Sequence, residues 1–153
     1  MSSKPSLTLK RRLNAPPSKV YGAWTDSAKI WHWFGPEDAE ILRAETDVRV
    51  GGRFRIVFRG PDGQEHDVGG IYREVVPDQK LVFTWAWEQI PPPKKKPEDM
   101  EDTESLITVQ LIDHGNSTEM IFTHENFTTA KVRDSHQKGW DGCFDVLEKV
   151  LAA

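Results

Sequence analysis

His124 shares the parity of Met120 and Phe122 in the segment Thr118 to Asn126, and Arg11 shares that of Leu7, Leu9 and Leu13. On strands, both would turn to the apolar side. Tyr72 and Glu74 are further polar candidates on the inner face of the segment Glu65 to Val76. If the first and last strands are neighbours, a cationic Arg11 and a titratable His124 would orient a ligand carboxylate or phenol. The plainer reading makes His124 a hydrogen-bonded core residue and Arg11 the partner of a carboxylate. His136 lies four residues before Trp140, on the buried stripe of a helix. Acid–base chemistry by His124 or His136 with Tyr72 or Glu74 requires these groups on one wall, within reach of a substrate proton.

The other reactive types point away from chemistry. The five His and one Cys show no close pair such as C-x-x-C or H-x-x-x-H, so no metal site is expected. Cys143 precedes Phe144 inside a helix, where a small buried thiol is the default. Gly51-Gly52 lacks the Lys-Ser/Thr of a phosphate loop and reads as a turn. No cofactor is expected.

The elements that must position these groups follow from periodicity and turn chemistry. Leu7 to Leu13 alternates as a half-buried strand, which Asn14-Ala15-Pro16-Pro17 ends. Pro17 suits the first turn of a helix with Val20, Tyr21 and Trp24 on its apolar stripe. A second short helix carries Ile30, Trp33 and Phe34 and stops at Gly35-Pro36. A short strand is expected around Ile41 to Ala44. Arg53 to Arg59 alternates Phe54, Ile56 and Phe58 against arginines, and Pro61-Asp62-Gly63 turns it into Glu65 to Val76, where Gly69-Gly70 allows a bulge or bend. Leu81 to Trp87 puts Leu81, Phe83, Trp85 and Trp87 on one face. Ser105 to Asp113 and Thr118 to Asn126 form a hairpin through His114-Gly115-Asn116. Ala130 to Leu151 reads as one long amphipathic helix with Trp140, Phe144 and Leu147 on its stripe, capped by Thr128 or Thr129.

This order does not alternate as parallel βαβ units do; it is an α+β pattern, a curved antiparallel sheet wrapped around a long C-terminal helix. The 153 residues suit one domain. Six Trp and seven Phe against two Tyr favour bulky apolar rings that must fill or line an interior. A net charge of −4 argues against nucleic acid, and no run is apolar enough for a membrane span. The lone Cys and the absence of a signal core point to a reducing cytoplasm.

Four segments carry a family resemblance: AWTDSAKIWHWFGPE (Ala23 to Glu37), TDVRVGGRFRI (Thr46 to Ile56), GIYREVVPDQKLVFTW (Gly70 to Trp85) and GWDGCFDVLEKVL (Gly139 to Leu151). Spaced in this order, the sequence resembles homologues of the activator of heat shock protein 90 ATPase, within the START-like (SRPBCC, or Bet v-like) helix-grip superfamily. The resemblance implies a helix-grip fold with a deep apolar cavity between sheet and C-terminal helix. It also implies relatives that carry lipids or hormones, cyclise polyketides or act on a chaperone.

The set expected to line that cavity is Phe54, Phe58, Tyr72, Phe83, Trp85, Met120 and Phe122 with Trp140 and Phe144, joined by the polar contacts His124 and Arg11. Such walls suit a small hydrophobic or aromatic ligand; the alternative is that the rings simply fill the core. The segment from Glu88 to Glu104, with Lys94-Lys95-Lys96, reads as a loop, a lid being the sharper alternative. Ligand binding is the expected function, in a monomer or homodimer. A polyketide cyclase-like or hydrolase-like enzyme and a chaperone-interacting module that works through the Lys94 loop are the alternatives.

Overall fold

The computed structural model describes residues 5–34, 40–60, 63–88, 105–127 and 129–152, except the side chains of Trp87 and Glu88. The segment from Gln89 to Glu104, including the Lys94 loop and its lid reading, lies outside the described residues.

Among the described residues seven strands form one antiparallel sheet in the order β1-β7-β6-β5-β4-β3-β2. They are β1 (Leu7–Leu13), β2 (Glu40–Thr46), β3 (Arg53–Arg59), β4 (Glu65–Val76), β5 (Lys80–Glu88), β6 (Ser105–Asp113) and β7 (Thr118–Glu125). Three helices join them: α1 (Pro17–Thr25), α2 (Ser27–Ile30) and α3 (Ala130–Ala152). The sheet is curved, and its concave face holds the core. No helix among the described residues is long and apolar enough to cross a membrane.

Local chemistry sets the positions of the helices. Pro17 opens α1, where a missing N–H removes no helical bond. Asp26 then serves both helices: its backbone N–H closes α1 on Gly22, and its carboxylate accepts from the Ala28 N–H to start α2. Helix α2 is one turn long, and the chain continues through hydrogen-bonded turns that carry Trp33 and Phe34 inward. Two bonds fasten this unit: Trp33 Nε1 donates to the Ala23 carbonyl at 2.8 Å, and the Thr46 hydroxyl donates to the Thr25 carbonyl at 2.8 Å. The Thr129 hydroxyl accepts from the Val132 N–H at 3.1 Å and caps α3.

Strand β4 carries Gly69 and Gly70 where its neighbours come close. A Cβ on Gly70 would lie 1.9 Å from the Thr84 carbonyl oxygen, so only glycine lets β5 come this close. The Ile71 N–H donates to Thr84 Oγ1 at 2.8 Å instead of to a strand carbonyl. Two residues on, the register between β4 and β5 slips between Tyr72 and Glu74. This bulge overturns one expectation: Tyr72 is buried, but the extra residue reverses the parity, so Glu74 is exposed and pairs with Lys80 at 3.4 Å.

Candidate ligand pocket

The described interior is a continuous slab of aromatic rings that leaves a small space. Trp24 from α1, Ile30 from α2 and the following Trp33 and Phe34 face Thr46, Phe54, Ile56, Tyr72, Phe83 and Trp85 from β2 to β5. They surround about 20 Å³, room for roughly one water molecule. Trp24 stands at the centre of the slab. Its ring meets Trp33 edge-on at 4.8 Å between centroids and lies 6.3 Å from Phe83 and 6.0 Å from Phe122. Although the residue is only 7% exposed, its Nε1–H meets no acceptor among the described residues. Burying an unmet donor costs about 1–3 kcal/mol. The Tyr72 phenol is raised above its ordinary pKa by burial, reinforced by Tyr21 and Asp47, so it stays protonated and neutral.

Beneath α3 the described side chains pack closely. Met120 and Phe122 are fully buried, and Phe122 lies 4.7 Å from Trp140 and 5.0 Å from Phe144. The expected set therefore divides. Phe54, Tyr72, Phe83 and Trp85 line the residual pocket, whereas Met120, Phe122, Trp140 and Phe144 pack as solid core under α3. Phe58 sits outside the pocket, its ring 5.9 Å from Phe34 and 5.1 Å from His66. This gap lies under α1 and α2.

His124 is buried without exposure, and both ring nitrogens are engaged. Trp140 Nε1–H, which can only donate, reaches His124 Nδ1 at 3.2 Å; Nδ1 is therefore the acceptor and Nε2 carries the proton. Nε2–H donates to Ser105 Oγ at 2.7 Å, and the Ser105 hydroxyl donates to the Trp85 carbonyl at 3.0 Å. Burial, with His136 adding to it, lowers the His124 pKa to about 2, so the ring is neutral across the physiological range. His136 is lowered as well, by burial, against its own bond to the Val132 carbonyl at 2.9 Å. The rings of His124 and His136 lie 5.3 Å apart and approach edge to face.

Strands β1 and β7 are neighbours, yet Arg11 and His124 do not converge. Arg11 lies opposite Met120 and His124 opposite Leu7, four residues or roughly 13 Å along the strand. The Arg11 guanidinium turns to the acidic flank of α3, meeting Asp145 at 2.9 Å, Asp141 at 3.3 Å and Glu148 at 3.4 Å. Burial lowers its pKa, but the Asp145, Asp141 and Glu148 carboxylates outweigh that and raise it. Cys143 is buried in α3. Among the described residues no three His, Cys, Asp or Glu gather as a metal would need.

Sequence reasoning missed Trp24, Ile30, Trp33, Phe34, Thr46 and Ile56 as pocket walls. The i, i+3 and i+4 spacing of Ile30, Trp33 and Phe34 was the available signal, with Trp24 on the stripe of the preceding helix, and it reads equally well as ordinary helix packing. The outer face also carries an open depression of about 500 Å³ above Gly69 and Gly70, rimmed by Glu45, Arg53 and Arg55. Arg55 there forms a bidentate pair with the buried Asp67.

A curved antiparallel sheet, a long C-terminal helix and an aromatic interior together define a START-like helix-grip protein. The family model described as activator of Hsp90 ATPase homolog 1-like protein matches residues 14–152, and the chain belongs to that family. Among solved structures, a protein from Chromobacterium violaceum is 25% identical over 97% of both chains, with a TM-score of 0.82. A protein from Silicibacter pomeroyi whose description names the same family is 24% identical, over 97% of this chain and 98% of that one, with a TM-score of 0.81. One from Nitrosomonas europaea is 24% identical over 99% and 97%, with a TM-score of 0.78. No curated protein matched the sequence.

Proposed function

We propose that this protein binds a small hydrophobic or aromatic molecule between the α1–α2 unit and strands β2 to β5. The observation that carries the reading is the space itself. Within a buried aromatic core, ten side chains meet around a gap they do not fill. Apolar walls with few polar groups suit such a ligand, and the family's fold is one that commonly binds ligands.

The gap of about 20 Å³ is too small for a ring; engineered apolar cavities that admit benzene are about 150 Å³. Binding therefore requires a wall to yield. Phe34 is that wall: it stands beyond a helix of one turn, at 9% exposure, whereas the opposite walls belong to a hydrogen-bonded sheet. Binding rather than acid–base catalysis fits the polar groups. His124 has both nitrogens engaged, and Glu74 faces away from the pocket.

Native mass spectrometry of the purified protein, set against its denatured mass, together with tryptophan fluorescence during a naphthalene titration, tests the reading. Saturable quenching or a co-purified small molecule is expected. A bare protein whose fluorescence naphthalene leaves unchanged would overturn it.

A further inference from the structure

We propose that the pocket selects a neutral aromatic molecule carrying a hydrogen-bond acceptor oxygen, a ketone, ester or quinone oxygen, which takes the Nε1–H of Trp24. The inference rests on the ligand-binding reading above and adds the chemistry of the ligand.

Three observations carry it. The first is the unmet donor: Trp24 lines the pocket, is more than nine-tenths buried, and its Nε1–H has no acceptor among the described residues. Buried indole N–H groups ordinarily find a partner, as Trp33 does on the Ala23 carbonyl and Trp140 on His124. Trp24 sits among the same rings without one, so a group from outside the chain completes it. The second is the lining. It holds no Lys, Arg or His, so a carboxylate would be buried against no cation and is disfavoured. The third is the remaining polar atoms. The Thr46 hydroxyl hydrogen is committed to the Thr25 carbonyl, and burial keeps the Tyr72 phenol protonated. Neither brings a charge to the site.

The gap has room for about one water, which could itself accept from Trp24. In the ligand complex the acceptor oxygen takes over that position while the aromatic body displaces Phe34. A pure hydrocarbon would fill the space but leave the indole N–H unmet, and such a loss is large in a dry site.

The experiment compares indane, indanone and indane carboxylate on the full chain and on the Trp24→Phe variant, by tryptophan fluorescence and calorimetry. On the intact protein indanone is expected to bind more tightly than indane, with the carboxylate weaker than both. In Trp24→Phe the smaller ring changes the wall for both ligands, so the ratio is the readout: indanone affinity over indane affinity should fall by about tenfold. Should that variant fail to fold, the indole N–H proton resonance of Trp24 in the unmodified protein gives the same answer, assigned through its contacts with Phe83 and Phe122. It should move downfield with indanone and not with indane. If indane and indanone both bind and neither the affinity ratio nor the Trp24 resonance responds, the donor serves a resident water only; the inference falls and ligand binding stands. If none of the three binds, the ligand-binding reading falls and takes this inference with it.

Discussion

Acid should weaken this fold through His124, and the size of the effect follows from the chain Trp140, His124, Ser105 and Trp85. The neutral ring accepts from one indole and donates to one hydroxyl, so a second proton on it has no acceptor and would destroy the Trp140 bond. Its folded pKa is about 2 against an ordinary 6.5. The unfolded chain therefore binds the proton first. Stability from this group is complete above pH 6.5 and is lost as pH falls below it, by about 1.4 kcal/mol per unit. At pH 5 the loss is about 2 kcal/mol, a large part of the roughly 5–15 kcal/mol that holds a typical domain folded. His136 is shifted in the same direction and adds to the loss. Urea unfolding followed by far-ultraviolet circular dichroism, at about pH 7.5 and about pH 5, would measure it. Carboxylates also titrate towards the acid end of this window, so the comparison is with His124→Phe. That variant leaves the Trp140 N–H without its acceptor and should be about 1–3 kcal/mol less stable at neutral pH. The gap between the two proteins should then shrink by about 2 kcal/mol at pH 5. A gap constant to within about 0.5 kcal/mol would mean that folded His124 takes up its proton normally, and the reasoning would be refuted.

Other substitutions probe separate parts of the account. Gly70→Ala places a methyl group 1.9 Å from the Thr84 carbonyl oxygen and should cost about 3 kcal/mol or more in urea unfolding. Gly139→Ala, inside α3 with nothing within 4 Å of the new methyl group, should raise stability by about 0.5–1 kcal/mol, seen as a higher melting temperature. Arg11→Met should cost no more than about 1 kcal/mol, because its carboxylate partners are largely exposed, and should leave naphthalene binding unchanged; lost binding would place Arg11 at the ligand. Phe34→Ala should cost about 3 kcal/mol and enlarge the pocket. Naphthalene should then raise its melting temperature by more than it raises that of the unaltered protein.

Much of the fold was legible because period and punctuation agreed. Phe54, Ile56 and Phe58 alternate against arginines, prolines and glycines mark the turns, and the stripe from Trp140 to Leu151 has helical spacing. Parity failed where the backbone broke it: the bulge after Tyr72 adds a residue, and Glu74 turns outward. Such a slip is invisible in a pattern of side-chain types. Site position was less legible still. Inward-facing residues such as Phe122 and Phe83 look alike in sequence, but one packs under α3 and the other borders the gap under α1–α2. Which of two covering elements fills its share of the interior depends on shape at the scale of a methyl group. His124 was legible as inward; that Trp140 and Ser105 occupy both its nitrogens depends on contacts across 16 and 19 residues.

Diffraction from crystals soaked with naphthalene would locate a bound ligand directly. The account predicts density for the ring among Trp24, Phe54, Phe83 and Trp85, with Phe34 displaced. Density confined to the depression above Gly69 and Gly70, or an empty pocket with Phe34 unmoved at saturating naphthalene, would contradict it.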